Sequence, residues 1–172
     1  MRLIAPFLLL GAGCVIGPKA APEGIPSAVR TGVAVAAWPC VEMKLRGLGF
    51  DAELVTSSRT DNAKADGVDA YYEEASTLAF NARRDGVPVV LTVAEAAAVL
   101  AGVKSDVRKL VTTAGGEVTD TAEGEAYQER TLVVAYRVDR VVGTLQFRLT
   151  PADGGAEPSN RLVVTARESP VP

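Results

Sequence analysis

The chain of 172 residues contains few side chains whose type and spacing could support chemistry. It has no histidine, and its only cysteines are Cys14 and Cys40. The lack of histidine excludes Ser-His-Asp and Cys-His catalysis and imidazole metal ligands. Two cysteines are too few for a four-thiolate zinc site in one chain. A catalyst would have to use carboxylates, lysines, hydroxyls or one thiol, and we predict neither a cofactor nor a metal.

Cys40 is the main catalytic candidate. It lies between an apolar run, Thr31–Ala37, that we predict to be a strand, and a predicted short helix, Val41–Leu48. At a helix N-terminus the dipole favours the reactive thiolate. This order of strand, cysteine-started helix, strand, helix and Val87–Pro88 resembles the thioredoxin arrangement, and implies redox chemistry with a single thiol. The alternative is a buried and inert cysteine, which is the commoner state of a free cysteine.

Three arginines are candidates for anion binding. Arg137, Arg148 and Arg167 lie on the polar sides of three alternating segments near the C-terminus. If these segments pair in order as strands ~4.8 Å apart, their guanidinium groups could line one patch and bind a carboxylate or phosphate. The alternative is that charges on an exposed sheet face keep the protein soluble and prevent edge pairing.

An acidic stretch precedes these segments. Its spacing matches no calcium-binding loop, so we predict a solvated loop. The net charge of −3 is mildly acidic and argues against a nucleic-acid partner. The stretch consists of Glu117, Asp120, Glu123, Glu125 and Glu129.

The N-terminal segment predicts export. Arg2 precedes an apolar run, Leu3–Leu10, which is too short to span a bilayer as a helix. Small residues then lead to Cys14, and the segment Leu10–Cys14 resembles the lipobox of bacterial lipoproteins, although Gly11 stands where that pattern prefers an aliphatic residue. The resemblance implies removal of residues 1–13, acylation of the Cys14 thiol with fatty acids such as palmitate, and a location in the cell envelope.

The following segment, rich in proline, glycine and alanine, predicts a tether. Residues 14–30 contain Pro18, Pro22 and Pro26, which favour an extended spacer over a helix. Residues 31–172 are then a single folded domain. Val15, which would follow the lipidated cysteine, is not an acidic retention signal, and this slightly favours the outer membrane by analogy, with the domain facing the periplasm.

Periodicity predicts an α+β domain. Val68–Arg84 carries apolar residues at helical spacing, and a capping box at Thr92 and Glu95 opens a second helix that ends near Gly115. The last third alternates with period two, which predicts a three-stranded antiparallel meander. We therefore expect helices packed on one face of a small antiparallel sheet.

The sequence favours a non-enzymatic envelope lipoprotein that binds a partner protein or an anionic ligand. Its attachment to the membrane would be through the N-terminal lipid. One alternative is a redox enzyme acting through Cys40, and another is a structural spacer or assembly subunit without a concave pocket. No motif identifies the partner.

Overall fold

The computed structural model describes residues 28–64, 71–151 and 160–171, with side chains described from residue 37 and omitted at 63 and 64. These residues form a mixed helix-and-sheet fold of two helices and one open antiparallel sheet of seven strands. In chain order the elements are α1 (Ala28–Gly47), β1 (Asp51–Lys64), β2 (Tyr71–Arg84), β3 (Val87–Val89), α2 (Val93–Thr113), β4 (Glu117–Ala126), β5 (Glu129–Val138), β6 (Val141–Pro151) and β7 (Asn160–Pro170).

The strand order is β1-β2-β7-β6-β5-β4, and the short β3 pairs with the end of β2. The predicted meander is confirmed, because β5, β6 and β7 pair consecutively. The sheet is larger than predicted, since β7 also pairs with β2 and so joins the meander to the first hairpin. The predicted acidic loop is wrong: its first part is the edge strand β4, whose charged side chains suit an exposed sheet edge.

Both helices pack on the same face of the sheet, which we call the inner face. Cross-strand partners share a face, and the buried row Leu78, Leu162 and Leu149 belongs to one core cluster with residues of α1 and α2. The second predicted helix is confirmed as α2, whose buried side includes Val99, Val103 and four further residues below 6% exposed. The opposite face, which we call the outer face, is covered by no helix or strand among the described residues.

One end of the sheet is marked by a row of inner-face residues: Tyr72 on β2, Glu168 on β7, Gly143 on β6 and Tyr136 on β5. We call it the tyrosine end. Helix α2 finishes there, because the next strand starts at Glu117, beside this row. Helix α1 finishes at the other end, where β1 begins, and its 20 residues span ~30 Å. Helix α1 runs antiparallel to α2, because Lys44 contacts Gly102 and Asp106 whereas Ala37 lies near Val107 and Leu110, so α1 begins towards the tyrosine end.

The strand predicted over Thr31–Ala37 is wrong, because these residues belong to α1. The predicted tether is also three residues too long, since α1 starts at Ala28. Pro39 suggested a break after this run, but it lies inside the helix. A proline there removes one backbone hydrogen bond, and burial of Val41 and Leu45 in the core favours the helix despite that loss.

The helix predicted over Val68–Arg84 is also wrong. Residues 71–84 form β2, and residues 68–70 lie outside the described part. Its side chains alternate between buried and half-buried from Tyr71 to Ala82. Because the buried set includes the polar residues Glu74 and Ser76, this alternation does not appear in the sequence as an apolar pattern with a period of two. The polar residues 57–64, whose composition is typical of a loop, belong to strand β1.

The other local predictions are confirmed. Thr92 and Glu95 form the capping box: the Glu95 amide donates to Thr92 Oγ1 over 3.2 Å, and the Thr92 amide donates to Glu95 Oε2 over 2.8 Å. Gly115, with a φ of 78°, ends α2 as expected of a glycine in the left-handed region. Within the described part of the chain, neither helix is long and apolar enough to cross a membrane.

Candidate functional site

The structure places the three predicted arginines on the outer face but does not bring them together. Arg167 lies opposite Thr144, and Arg148 is four residues further along the same strand, which separates them by ~13 Å. Arg137 lies opposite Val142, six residues and ~20 Å from Arg148. One carboxylate or phosphate cannot contact all three side chains, so a single three-arginine pocket is excluded.

Arg148 instead has a neighbour that the sequence did not indicate. Arg161 on β7 faces Thr150, while Arg148 faces Val163, so the two arginines are diagonal neighbours on adjacent strands. Such neighbours lie ~7–8 Å apart, within reach of long side chains. Both are exposed, and the cross-strand partners of Arg148 are the uncharged Thr131 and Val163. Strand register, which a single sequence does not specify, creates this pair.

The other two predicted arginines have acidic or aromatic neighbours. Arg167 faces Glu73 across β2 and lies 5.3 Å from the centre of the Tyr71 ring. Arg137 faces Glu117 on β4. These contacts reduce the positive potential near both side chains. The pair Arg148 and Arg161 also has an acidic neighbour, because Glu129 on β5 accepts hydrogen bonds from Thr131 and Thr150, their cross-strand partners.

Cys40 does not occupy the predicted position. It lies inside α1, twelve residues after Ala28, and is 7% exposed. The thiolate-favouring N-terminus of a helix is therefore not available to it. Cys40 is also disulfide-bonded. The thioredoxin-like order of elements is absent from the described residues, because α1 is followed by two antiparallel strands.

A cluster of polar side chains lies on the inner face near the tyrosine end. Glu74, only 3% exposed, accepts hydrogen bonds at Oε2 from Arg59 Nη2 over 2.8 Å and from the Tyr72 hydroxyl over 3.0 Å. Burial lowers the pKa of Arg59, but the contacts with Tyr72 and Glu74 raise it more, so the pKa is raised overall and the guanidinium stays charged.

A second carboxyl completes this cluster. Tyr136 extends across Gly143, where a side chain would collide with its ring, and its hydroxyl donates to Glu168 on the next strand. Glu168 and Tyr136 are 0% and 1% exposed. Two carboxyls and two phenols could serve acid–base chemistry, but such chemistry needs access for a substrate. Because all four groups are buried in the sheet, we assign them a structural role.

A groove of about 470 Å³ lies along the exposed side of α2. Lys104, Arg108 and Lys109 line it, and no acidic residue does. Arg108 and Lys109 are exposed and form no ion pair with any described residue. Lys104 donates to Glu123 Oε1 over 2.8 Å, and this hydrogen bond lowers the pKa of Glu123. The hydroxyls of Ser105, Thr112 and Thr113 and the methyl of Ala101 complete the lining.

A second cavity, of about 280 Å³, lies between the start of α2 and strands β4 and β5. Its charged lining consists of Arg130, Glu123 and Glu125, and Arg130 forms an ion pair with Glu125. The charges in this cavity are therefore compensated internally. Among the residues whose structure is described, no cluster of three or more acidic, histidine or cysteine side chains could hold a metal ion.

No family model matches the chain, and no curated protein matches it. Functional inference therefore depends on the chemistry of the surfaces described above and on the N-terminal sequence.

Proposed function

We propose that this chain is a lipid-anchored protein of the bacterial cell envelope, and that its α+β domain is a non-enzymatic module that binds a partner. The location rests on the N-terminal sequence, where residues 1–13 and Cys14 lie outside the described residues. The lipobox-like segment and the proline-rich tether support an anchor on the outer membrane with the domain facing the periplasm.

The observation that carries the binding role is the uncovered outer face. An open sheet with both helices on one side leaves a flat surface of alternating side chains exposed to solvent. At its centre are small residues, among them Ala75, Thr77 and Thr165, which allow close approach of another surface. Arg148 and Arg161 lie beside them as exposed diagonal neighbours on adjacent strands, with Glu129 on the same face. Their guanidinium groups can form charge-assisted hydrogen bonds with an acidic group of a partner protein.

The two cysteines place a chemical constraint on the anchor. Transfer of a diacylglyceryl group forms a thioether at Cys14, whereas a disulfide within one chain would have to join Cys14 to Cys40, because the sequence has no third cysteine. The same sulfur cannot carry both bonds. The lipid-anchored form therefore requires Cys40 to be a thiol or to pair with another molecule, and the intramolecular disulfide describes a form that is not lipidated.

A photo-crosslinking residue at Thr165, on the outer face, tests the binding role in cells. We expect a defined adduct with one envelope protein, and a weaker adduct when Arg148→Ser and Arg161→Ser are combined. The matched control introduces the crosslinker at Ala98, on the exposed side of α2, where that adduct should be absent. Equal adducts at both positions, or no effect of the arginine substitutions, would contradict the proposed surface.

The proposed anchor has a separate test. We expect the wild-type chain to fractionate with the outer membrane and Cys14→Ser to lose that association. Cys40→Ser is the control, because it removes a cysteine without removing the lipid site. If Cys14→Ser stays with the membrane fraction after a high-salt wash, which releases electrostatic contacts, the lipid anchor is excluded.

A further inference from the structure

We propose that the groove on α2, lined by Lys104, Arg108 and Lys109, docks on the headgroups of anionic phospholipids in the membrane that carries the anchor. The inference rests on the proposed lipid anchor and extends it from the N-terminal segment to a specific surface of the domain. It assigns α2 to the membrane and leaves the outer face of the sheet free for a partner.

The composition of the groove matches phosphate chemistry. Its charged lining is entirely basic, and the hydroxyls of Ser105 and Thr113 are hydrogen-bond donors for the remaining phosphate oxygens, whereas the Thr112 hydroxyl donates to the Arg108 carbonyl. The nearest acid along the helix, Asp106, is occupied because Lys44 Nζ lies 2.8 Å from its Oδ2. The positive charges of Arg108 and Lys109 therefore remain available to a ligand.

The position of the groove matches the direction of the tether. The groove begins at Ala101 and reaches Thr113, the last residue of α2, at the tyrosine end. Helix α1 begins towards the same end, so the chain that leads to Cys14 joins the domain there. The 13 residues between Cys14 and Ala28 would span ~47 Å at most if fully extended. A domain held within this distance can place its α2 side against the bilayer surface.

The two proposed surfaces face in opposite directions. Both helices cover the inner face of the sheet, so the exposed side of α2 points away from the outer face. When α2 rests on lipid, Arg148 and Arg161 are directed into the periplasm. Membrane contact would thus orient the partner-binding surface instead of competing with it.

Binding of the full chain carrying Cys14→Ser to vesicles tests the groove without a covalent lipid. We expect stronger binding to phosphatidylcholine vesicles that contain about 30% phosphatidylglycerol than to pure phosphatidylcholine, with the difference decreasing as salt rises. Any contribution of the apolar segment Leu3–Leu10 to membrane binding is the same for both kinds of vesicle, so it does not affect the difference between them. Combining Arg108→Ser with Lys109→Ser should reduce the anionic component about 30-fold, as expected for two basic side chains at a charged surface.

The matched control combines Arg46→Ser with Arg83→Ser, which removes the same charge from exposed positions near the opposite end of the sheet. We expect this control to retain most of the anionic component. Equal losses of anionic-vesicle binding in both double variants would show that only net charge matters and would overturn the proposal. Equal binding to both kinds of vesicle would also overturn it, as would unchanged binding by the groove variant. Because the test omits the lipid, its failure is distinct from failure of the anchor, which Cys14→Ser fractionation measures in cells.

Discussion

Gly143→Ala tests how the buried tyrosine end holds the sheet together. An alanine Cβ at this position would lie 2.1 Å from Cζ of Tyr136 and 2.4 Å from its hydroxyl oxygen, whereas ordinary contact begins at 3.4 Å. The ring, which is 1% exposed, would have to move by ~1.3 Å or more into a packed core. That movement would take the hydroxyl away from Glu168.

The expected cost combines two effects. Overpacking a dense core costs ~1–3 kcal/mol, and the loss of a hydrogen bond that leaves a buried polar group unsatisfied costs ~1–3 kcal/mol. We therefore expect Gly143→Ala to lower the free energy of unfolding by about 3–5 kcal/mol, a large part of the ~5–15 kcal/mol typical of a domain. Urea denaturation followed by circular dichroism measures this change.

Gly124→Ala is the matched control. Gly124 is also a strand glycine, but the nearest heavy atom to an added Cβ is Cβ of Thr131 at 3.8 Å, an ordinary contact. We expect this change to alter stability by less than ~1 kcal/mol. If Gly143→Ala costs no more than Gly124→Ala, the assigned packing of Tyr136 across β6 is incorrect.

A second background separates the collision from any general effect of alanine on β6. Tyr136→Leu removes the ring that extends over Gly143, so adding Gly143→Ala to it should cost less than ~1 kcal/mol. If Gly143→Ala costs the same in both backgrounds, the collision with Tyr136 is not the cause.

Two further predictions concern the capping box of α2. Thr92→Ala should lower the free energy of unfolding by about 1 kcal/mol, and Thr92→Ser should restore most of it, because either hydroxyl accepts from the Glu95 amide. The pKa of Glu95 is raised by burial but lowered more by hydrogen bonds from Thr92 and Arg84, so it lies below its ordinary value of 4.5. A lowered carboxyl pKa stabilises the fold above pH 4.5 and loses that contribution as pH falls through the folded value. The stability difference between wild type and Glu95→Gln, measured by urea denaturation across this range, should therefore shrink towards acid; a difference that is constant with pH would contradict the assigned bonds.

Local signals predicted the elements that depend on neighbouring residues. The hydroxyl at Thr92 and the carboxyl at Glu95 identify a helix start by themselves, and the apolar spacing from Ala96 to Val111 then continues through α2. The alternation in β5, β6 and β7 was equally clear, because each strand buries apolar side chains on one face.

The failures occurred where long-range contacts compensate for unfavourable local chemistry. Strand β2 buries Glu74 and Ser76. Glu74 is tolerated there because Arg59, which strand pairing brings from β1, and Tyr72, two residues earlier on β2, hydrogen-bond to it. Without knowledge of that pairing, Tyr71 and Tyr72 fit a helical stripe, although they lie on opposite faces of the strand. Pro39 was misleading for the same reason, since tertiary packing maintains α1 around it.

The candidate sites show the same division. The arginine types and their common face were predictable, because alternation within each strand specifies the face. Their separations were not, because register decides which residues become neighbours. Register separates Arg137 from Arg148 by ~20 Å and brings Arg161 beside it. The groove on α2 was missed because basic residues such as Lys104, Arg108 and Lys109 are common on the exposed side of a helix. Only the structure shows that the nearby acids, Asp106 and Glu123, are paired.

The most direct test of the proposed lipid anchor is the intact mass of the protein, purified from bacterial envelopes without a reducing agent. The account predicts a chain that begins at Cys14, carries a diacylglyceryl thioether and fatty acyl groups there, and lacks residues 1–13. A chain that retains Met1, or one whose mass corresponds to an unacylated disulfide between Cys14 and Cys40, would contradict the account.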